Sequence, residues 1–385
     1  MKIIDLFAGC GGLALGFKKQ NFKTLAFLEW EKACIDTLVA NFSKSEPNAL
    51  FIHKDIQNTE ECLKSEDGNL ISLVAKNGGL DGVIGGPPCQ AYSMAGRVRD
   101  PFGMTKDYRN FLFEAYCRIL ETFKPRFFVF ENVMGLLSAK PNGIPITQEI
   151  EHAFDVNGYY CGKINKNIVY DFADLGGPQR RKRVIIFGVR KDVPLCEQRV
   201  SEFHKTMLSL REQNRTVRDA IGDLLPIYPL PLNERSTRRS HTNLSNDWMH
   251  QSRFHNERDM GIFQLLAEDL KTAEPKYNSI DAIKQLYKER VGKDAAVHKY
   301  YVLRENEASN LIPAHLYKDG LRHIHPDPAQ ARSITAREAA RLQTFPDEFN
   351  FKGSRGDVYK MIGNAVPPRF AEKIAISVRA AMADK

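Results

Sequence analysis

At 385 residues, with 43% hydrophobic and 26% charged residues, the chain has the length of two domains and enough apolar material for a sizeable core. That composition excludes disordered, collagenous and small disulfide-stapled proteins. The formal charge of +8 is uneven: residues 1–180 hold 20 Lys and Arg against 21 Asp and Glu, whereas residues 181–385 hold 35 against 26. This fits a neutral part doing chemistry beside a basic part holding a polyanion, and it fits ordinary surface charge equally well. No run of 18 apolar residues exists, so no membrane span is expected, and the Lys2–Phe7 start has no signal-peptide pattern. Of seven cysteines, the closest pair in sequence is Cys10 and Cys34, so no Cys-x-x-Cys zinc or redox pair is present and reduced thiols are expected.

The first 190 residues alternate short strand-like runs with helix-like stretches. Lys2–Leu6 reads as a strand, followed by the glycine-rich Ala8–Gly12 and a periodic apolar stretch to Lys19. Lys23–Leu28 is a second strand, Glu31–Asn41 a helix and Leu50–His53 a third strand. Gly82–Ile84 leads into Gly85-Gly86-Pro87-Pro88, a loop because prolines cannot donate to a ladder. Tyr108–Phe123 is a helix closed by Pro125, and Arg126–Phe130 and Val184–Val189 read as strands buried on both faces. The alternation predicts an α/β fold with a doubly wound, mostly parallel sheet. From about 191 to 330 the pattern breaks down: Pro226, Pro229 and Pro231 cluster, and Lys271–Lys293 is a polar helix-like stretch. This predicts a second, smaller irregular unit. Pro368–Ala381 is again an amphipathic helix.

The chemistry-bearing residues fall at strand ends, where ligands of open α/β sheets sit. Glycines at 9, 11 and 12 let a ligand approach the backbone after the first strand. Glu29 ends the second strand, where a carboxylate can accept from ribose hydroxyls. Trp30 can pack on an adenine face and Asp55 can accept from an adenine amino group. Gly9-x-Gly11-x-x-Ala14 also passes as a weak nicotinamide-cofactor fingerprint. Cys89, on its proline loop, is a candidate nucleophile if a cation or helix terminus raises its thiolate fraction. The other six cysteines read as buried inert thiols. Glu131, directly after Phe127–Phe130, is a carboxyl at the edge of an apolar pocket and a candidate proton donor. Arg181 and Arg183 fall on one side of the next strand, where they suit phosphate or a base carbonyl.

In this order the segments resemble the DNA (cytosine-5)-methyltransferase family. Phe7-Ala8-Gly9-Cys10-Gly11-Gly12 is similar to its S-adenosylmethionine loop, Pro88-Cys89-Gln90 to its catalytic loop, and Glu131-Asn132-Val133 and Gln179-x-Arg181-x-Arg183 to two further active-site motifs. Arg337–Asp347 and Gly363-Asn364-Ala365-Val366 complete the set. The match covers about 1–190 and 310–385; Pro87 doubles the proline before Cys89, and Ala365 stands where some members carry Ser.

The resemblance implies a Rossmann-like methyltransferase fold divided into a catalytic domain (1–190), a target-recognition domain (191–356) and a C-terminal helix returning to the catalytic domain (357–385). It implies a cofactor site of Phe7, Gly9, Gly11, Gly12, Leu13, Glu29, Trp30, Asp55, Ile56, Pro88, Asn364 and Ala365, and catalysis by Cys89, Glu131, Arg181 and Arg183 without a metal. Cys89 would add to cytosine C6, Glu131 would hydrogen-bond N3, Arg183 would hold O2, and Arg181 would support the site or a phosphate. The target base must first be flipped from the duplex. Ala95–Arg99 looks like the mobile catalytic loop. DNA contacts are expected from Gln90, Ser93 and Arg97 and from Arg235, Arg238, Arg239 and Arg253 in a region that also carries His241, Trp248, Phe254, His255 and Arg258. The Arg337–Leu342 helix is expected to buttress this region, with Glu338 paired internally.

The partner so implied is double-stranded DNA, for a cytoplasmic monomer in a bacterial or phage setting that is either a solitary methylase or one with a companion restriction endonuclease. Two rivals share the scaffold. A tRNA-acting branch carries a Cys-Phe-Thr tripeptide, whereas here Cys196 is followed by Glu197. An inactive DNA-binding adaptor would have no need of Cys89, Glu131 and Arg183 together.

Overall fold

The computed structural model describes residues 1–65, 68–88, 112–141, 143–294, 300–318 and 320–383. Eight strands form the central sheet: β1 (Lys2–Leu6), β2 (Lys23–Glu29), β3 (Leu50–His53), β4 (Gly82–Gly85), β5 (Phe127–Val133), β6 (Tyr159–Tyr160), β7 (Val169–Asp171) and β8 (Lys182–Arg190). Their order is β3-β2-β1-β4-β5-β8-β6, with β7 also pairing β8. The first five are mutually parallel, and β8 runs antiparallel to β5, β6 and β7. The sheet is therefore mostly parallel and doubly wound, as the alternation predicts.

Period-two alternation divides the strand residues between two cores. Ile4, Leu6, Val83, Phe128, Phe130, Val184 and Ile186 face the helices Leu112–Phe123 and Ile146–Val156. Ile3, Ile84, Phe127, Val129, Ile185 and Phe187 face the helices Gly12–Lys19, Cys196–Ser209 and Pro368–Met382. The apolar core thus continues past residue 190, because Val200, Phe203 and Met207 pack on β8 and the C-terminal helix. That C-terminal helix lies against Gly12–Lys19 at a distance only glycine allows: a Cβ on Gly16 would stand 2.4 Å from the Cβ of Ala371.

Two elements differ from the sequence expectation. β5 extends to Val133, so Glu131 and Asn132 are strand residues rather than residues after it. The polar stretch around 271–293 is a turn leading into a single helix, Ile280–Val291, preceded by the helix Glu257–Asp269. With the buried Tyr300, Val302 and Ile324 these two helices make a small core of their own. No helix among the described residues is long and apolar enough to cross a membrane.

The strand order reverses between β1 and β4, one neighbour of β1 leading towards β3 and the other towards β5. The crevice outside the carboxyl ends of these strands is where a ligand is expected. Residues Phe7–Gly11 and Gly85–Pro88 line it from either side.

Candidate functional site

On one side of the crevice, the chain leaves β1 through a tightly turned loop. Phe7, Gly9 and Gly11 have φ of 55°, 55° and 90°. For a phenylalanine this left-handed conformation is uncommon, and such outliers gather at ligand-binding turns. A Cβ on Gly9 would meet no atom within 4 Å, so the loop opens onto free space at that point. Gly11 caps the helix that begins at Gly12. The Glu29 carboxylate fastens the loop by accepting from the backbone N–H groups of Gly9 (2.8 Å), Trp30 (2.9 Å) and Glu31 (3.0 Å). Burial raises the pKa of Glu29 and these three donors work against the rise. Each carboxylate oxygen has two lone pairs, so capacity remains for ribose hydroxyls.

Trp30, next in sequence, is 61% exposed. Asp55 is half-buried, with Oδ1 accepting from Gln57 N, and Ile56 is buried beside it. Leu13 faces the core with Ile3 and Phe17 rather than the crevice. Ala365 is brought against Gly12, whose Cβ would lie 3.4 Å from that of Ala365, while Asn364 is exposed and Pro88 sits exposed at the opposite lip. An open glycine, an exposed indole and a nearby carboxylate fit an adenosine-bearing cofactor.

Asp5 was not among the candidates singled out from the sequence. It is 1% exposed, and neither carboxyl oxygen has a hydrogen-bond partner among the described residues. Burial raises its pKa well above the usual carboxylate range, and Glu29 adds to the rise. An Asp inside Lys2-Ile3-Ile4-Asp5-Leu6 was the available signal.

On the other side, β5 and β8 present Glu131 and Arg183 to each other. Arg183 stands opposite Val133, and Glu131 opposite Ile185, so the two are diagonal cross-strand neighbours. Arg183 Nε lies 2.8 Å from Glu131 Oε1, both side chains being about nine-tenths buried. A Cβ on Gly86 would stand 2.7 Å from Glu131 Oε2, so the loop after β4 closes on the carboxylate where it carries no side chain.

Arg181 behaves differently. It precedes β8 and is 2% exposed, with Nη1 donating to Ile312 O (3.3 Å) and Nη2 to Gly363 O (3.2 Å). Burial and then Arg183 push its pKa down, and Glu131 pushes it up. Its contacts make it a strut between three chain segments rather than a phosphate ligand. Gln179, fully buried, does the same work: its Nε2 donates to Gln343 Oε1 (3.1 Å) and its Oε1 accepts from Ile312 N (3.2 Å). Both glutamines stand in the motifs quoted above, and composition alone gave no sign that they pair.

Cys89, Gln90, Ser93, Arg97 and the Ala95–Arg99 loop lie outside the described residues. Among the expected DNA contacts, Arg238 and Arg239 are exposed on the Ser236–Arg239 turn, Arg239 bonding weakly to His241 O (3.4 Å). Two others are turned inward. Arg235 donates to Leu230 O (2.7 Å), and Arg253 lies over the Tyr359 ring (4.6 Å) with Nη1 on Tyr317 O (3.2 Å). Arg258 pairs with Asp259, and Trp248 and Phe254 are exposed.

The helix Ala336–Leu342 buttresses this region. Thr335 and Glu338 form its capping box, and Glu338 takes both terminal nitrogens of the buried Arg332 at 2.7 Å. Although burial alone would raise the Glu338 pKa, Arg332 with its hydrogen bonds holds it well below the usual range. Arg337 pairs with Asp247, and Arg341 with Asp223 and Asp347. A crevice of about 430 Å³ between these ion pairs is lined by Asp223, Asp247, His250, Arg337 and Asp347 and by none of the site residues above. The chemistry is assigned to the strand ends because the convergent polar groups are there.

A model of the C-5 cytosine-specific DNA methylase family matches residues 1–379. The type II methyltransferase M.Bpa9945I of Bacillus paralicheniformis is 35% identical, the alignment covering 98% of this chain and 98% of that one. M.DdeI of Desulfomicrobium norvegicum is 31% identical over 97% of this chain and 88% of its own. Among solved structures, a putative DNA modification methyltransferase encoded within an E. coli prophage superposes with a TM-score of 0.63 at 24% identity, covering 98% of both chains. The Dnmt2 methyltransferase of S. pombe gives 0.57 at 14%, with the same coverage. The last two are likenesses of fold.

Proposed function

The chain belongs to the C-5 cytosine-specific DNA methylase family and is a DNA cytosine-5 methyltransferase, and from that premise we propose that it is a sequence-specific methylase of a type II restriction–modification system. The observation that carries the reading is the meeting of Glu131, Arg183 and Gly86 across the crevice from the Phe7–Gly11 loop. Its substrate is duplex DNA, its methyl donor S-adenosylmethionine, and its place of action the cytoplasm, where that DNA is.

Cytosine C5 is a poor nucleophile. In the proposed mechanism the target base is flipped into the crevice, at a cost of about a few kcal/mol recovered through contacts elsewhere. The Cys89 thiolate bonds to C6, and the ring's electrons move towards N3 and O2. Glu131, as the carboxylic acid, donates to N3. Arg183 leaves Glu131 and donates to O2, so the incoming base takes over the two ends of their ion pair. Arg181 and Gln179 keep β8 in place through Ile312 and Gly363. Gly9, Glu29, Trp30 and Asp55, flanked by Ala365, would hold S-adenosylmethionine, which would supply the methyl group to C5 and be left as S-adenosylhomocysteine. Loss of the C5 proton to a base and departure of Cys89 as thiolate restore the aromatic ring. Arg238 and Arg239 contact DNA phosphates, and the recognition unit, which ends at residue 356 in this reading, begins after the helix Cys196–Ser209 and not at 191, because that helix packs on the catalytic sheet.

Incubation of unmodified bacterial DNA with S-adenosylmethionine, labelled in its methyl group, tests the function. Label in 5-methylcytosine at one recurrent sequence is expected. Labelled tRNA with unlabelled DNA would overturn it, and so would full turnover by Cys89→Ser.

A further inference from the structure

The helix Arg355–Asn364 touches the recognition region on one flank and the cofactor side on the other. Towards the recognition region, the Arg253 guanidinium lies 4.6 Å above the Tyr359 ring, and Tyr359 OH donates to Ile334 O (3.0 Å). Arg355 reaches Ser252 O (3.5 Å) and Gln251 Oε1 (3.4 Å). Towards the cofactor side, Lys360 Nζ pairs with Glu31 (2.7 Å), whose own N–H is held by the Glu29 carboxylate. Met361 O accepts from Cys10 Sγ (3.8 Å) in the glycine loop, and Met361 Sδ accepts from Thr37 (3.4 Å). The helix ends by presenting Gly363 O to Arg181 and Ala365 to Gly12.

Tyr359, Lys360 and Met361 are consecutive, so their contacts to the two flanks lie within one turn of the helix. Its start is fixed by a capping box between Ser354 and Asp357. Arg253 is an unusual choice for packing alone. Its Nε and Nη2 are buried with no hydrogen-bond partner among the described residues, a cost an apolar side chain on the same ring would avoid. What a guanidinium adds is a directional, charged contact with the ring face that weakens as the two shift.

We propose that Arg253 and Tyr359 form a joint through which DNA docking on the recognition region orders the cofactor cleft, so that DNA and cofactor bind cooperatively. Arg253 is then a positioning residue and not the phosphate contact its place in the basic region suggests. The first ligand to bind holds the helix against Glu31 and Cys10, and the second finds it already ordered. This inference rests on the DNA and cofactor reading given above.

The test measures the affinity of the full chain for S-adenosylhomocysteine, alone and with saturating sheared bacterial genomic DNA. In the wild type DNA raises the affinity roughly tenfold, within the usual range of coupling. Arg253→Met brings that ratio close to one, leaving the affinity for each ligand alone nearly unchanged; Tyr359→Leu does the same at a lower melting temperature, because it also removes a buried ring and its hydrogen bond to Ile334 O. Tyr359→Phe keeps the ring and keeps the ratio. Arg253→Lys keeps the charge without the planar fork and lowers the ratio part of the way, which covers the case of a methionine variant that does not fold.

A wild-type ratio of one in a chain that methylates DNA overturns the joint alone. So does an Arg253→Met chain that binds DNA more weakly than the wild type yet keeps the tenfold ratio, which makes Arg253 a DNA contact and not a joint. A wild type that neither binds S-adenosylhomocysteine nor methylates DNA overturns the reading of function, and the joint with it.

Discussion

The strand-end site and the recognition region use arginine in opposite ways. At the strand ends, Arg183 is held in an ion pair with Glu131, which in the proposed mechanism the substrate takes apart, and Arg181 is committed to backbone carbonyls. In the recognition region, Arg235 and Arg253 are drawn into the fold, Arg332 is buried against Glu338, and Arg238 and Arg239 stay at the surface. A basic composition therefore overstates the charge available to DNA. Much of the excess is structural, and the same residue type serves as strut, joint or contact according to what surrounds it.

The largest effect should come at the strand ends. Cys89→Ser is expected to abolish methyl transfer, and Glu131→Gln to slow it by roughly 10²–10⁴-fold with DNA affinity retained. Single-turnover rates beside gel-shift affinities check both. If Glu131→Gln lost binding and rate equally, the contrast between a chemical and a holding region would fail. Next comes Glu338→Gln, which leaves Arg332 buried beside a neutral partner. Breaking such a pair costs about 3–5 kcal/mol, read as a lower denaturation midpoint. A midpoint unchanged within error would mean the recognition region does not depend on that pair.

Acid should separate the two regions further. Burial pushes His241 and His325 down to about 4, and His255 and His323 down to about 3. These groups are neutral when folded, and the unfolded chain binds their protons first. Their stabilisation is full above about pH 6.5 and is lost as pH falls through 6.5 towards 4. Thermal melts from pH 8 to 4 should therefore show fluorescence from Trp248 changing before the sheet unfolds. A single transition with no pH dependence in that window would contradict it.

The smallest effect is at the surface. Arg238→Ala and Arg239→Ala should each weaken DNA binding a few-fold and reduce the salt slope by about one. Arg235→Ala should leave the slope unchanged, and equal slopes for all three would remove the distinction between inward and outward arginines.

How far the sequence reached follows the same division. Strands β1, β2 and β8 are legible because strands buried on both faces are near-continuous apolar runs between breakers, and the edge strand β3 because Leu50–Ile52 is a short apolar run of its own. Glu29 and Arg183 are legible because a charge directly beside such a run sits at a strand end, and Glu131 because it is the first charge after Phe127–Phe130. The extension of β5 through Glu131 and Asn132 was hidden, since those polar residues owe their strand geometry to pairing with β8. In the recognition region no periodicity exists to read. Which arginines turn inward depends on acceptors far along the chain, such as Tyr317 O for Arg253. The Gln179–Gln343 clasp is of this kind too, joining residues 164 positions apart.

Arg181 illustrates what such distant ties entail for the making of the protein. Its two carbonyl partners lie 131 and 182 residues further along the chain. While the chain emerges from the ribosome, β5 and β8 can pair with each other long before the carbonyls that brace Arg181 exist. A message cut short after residue 330 would yield the sheet and Ile312 but neither Gly363 nor Gln343, so the strut would be half made. Contacts this far apart in sequence close slowly, so activity should appear well after the sheet's hydrogen bonds are protected from exchange. A fragment ending at residue 330 should regain function when residues 331–385 are supplied as a separate chain.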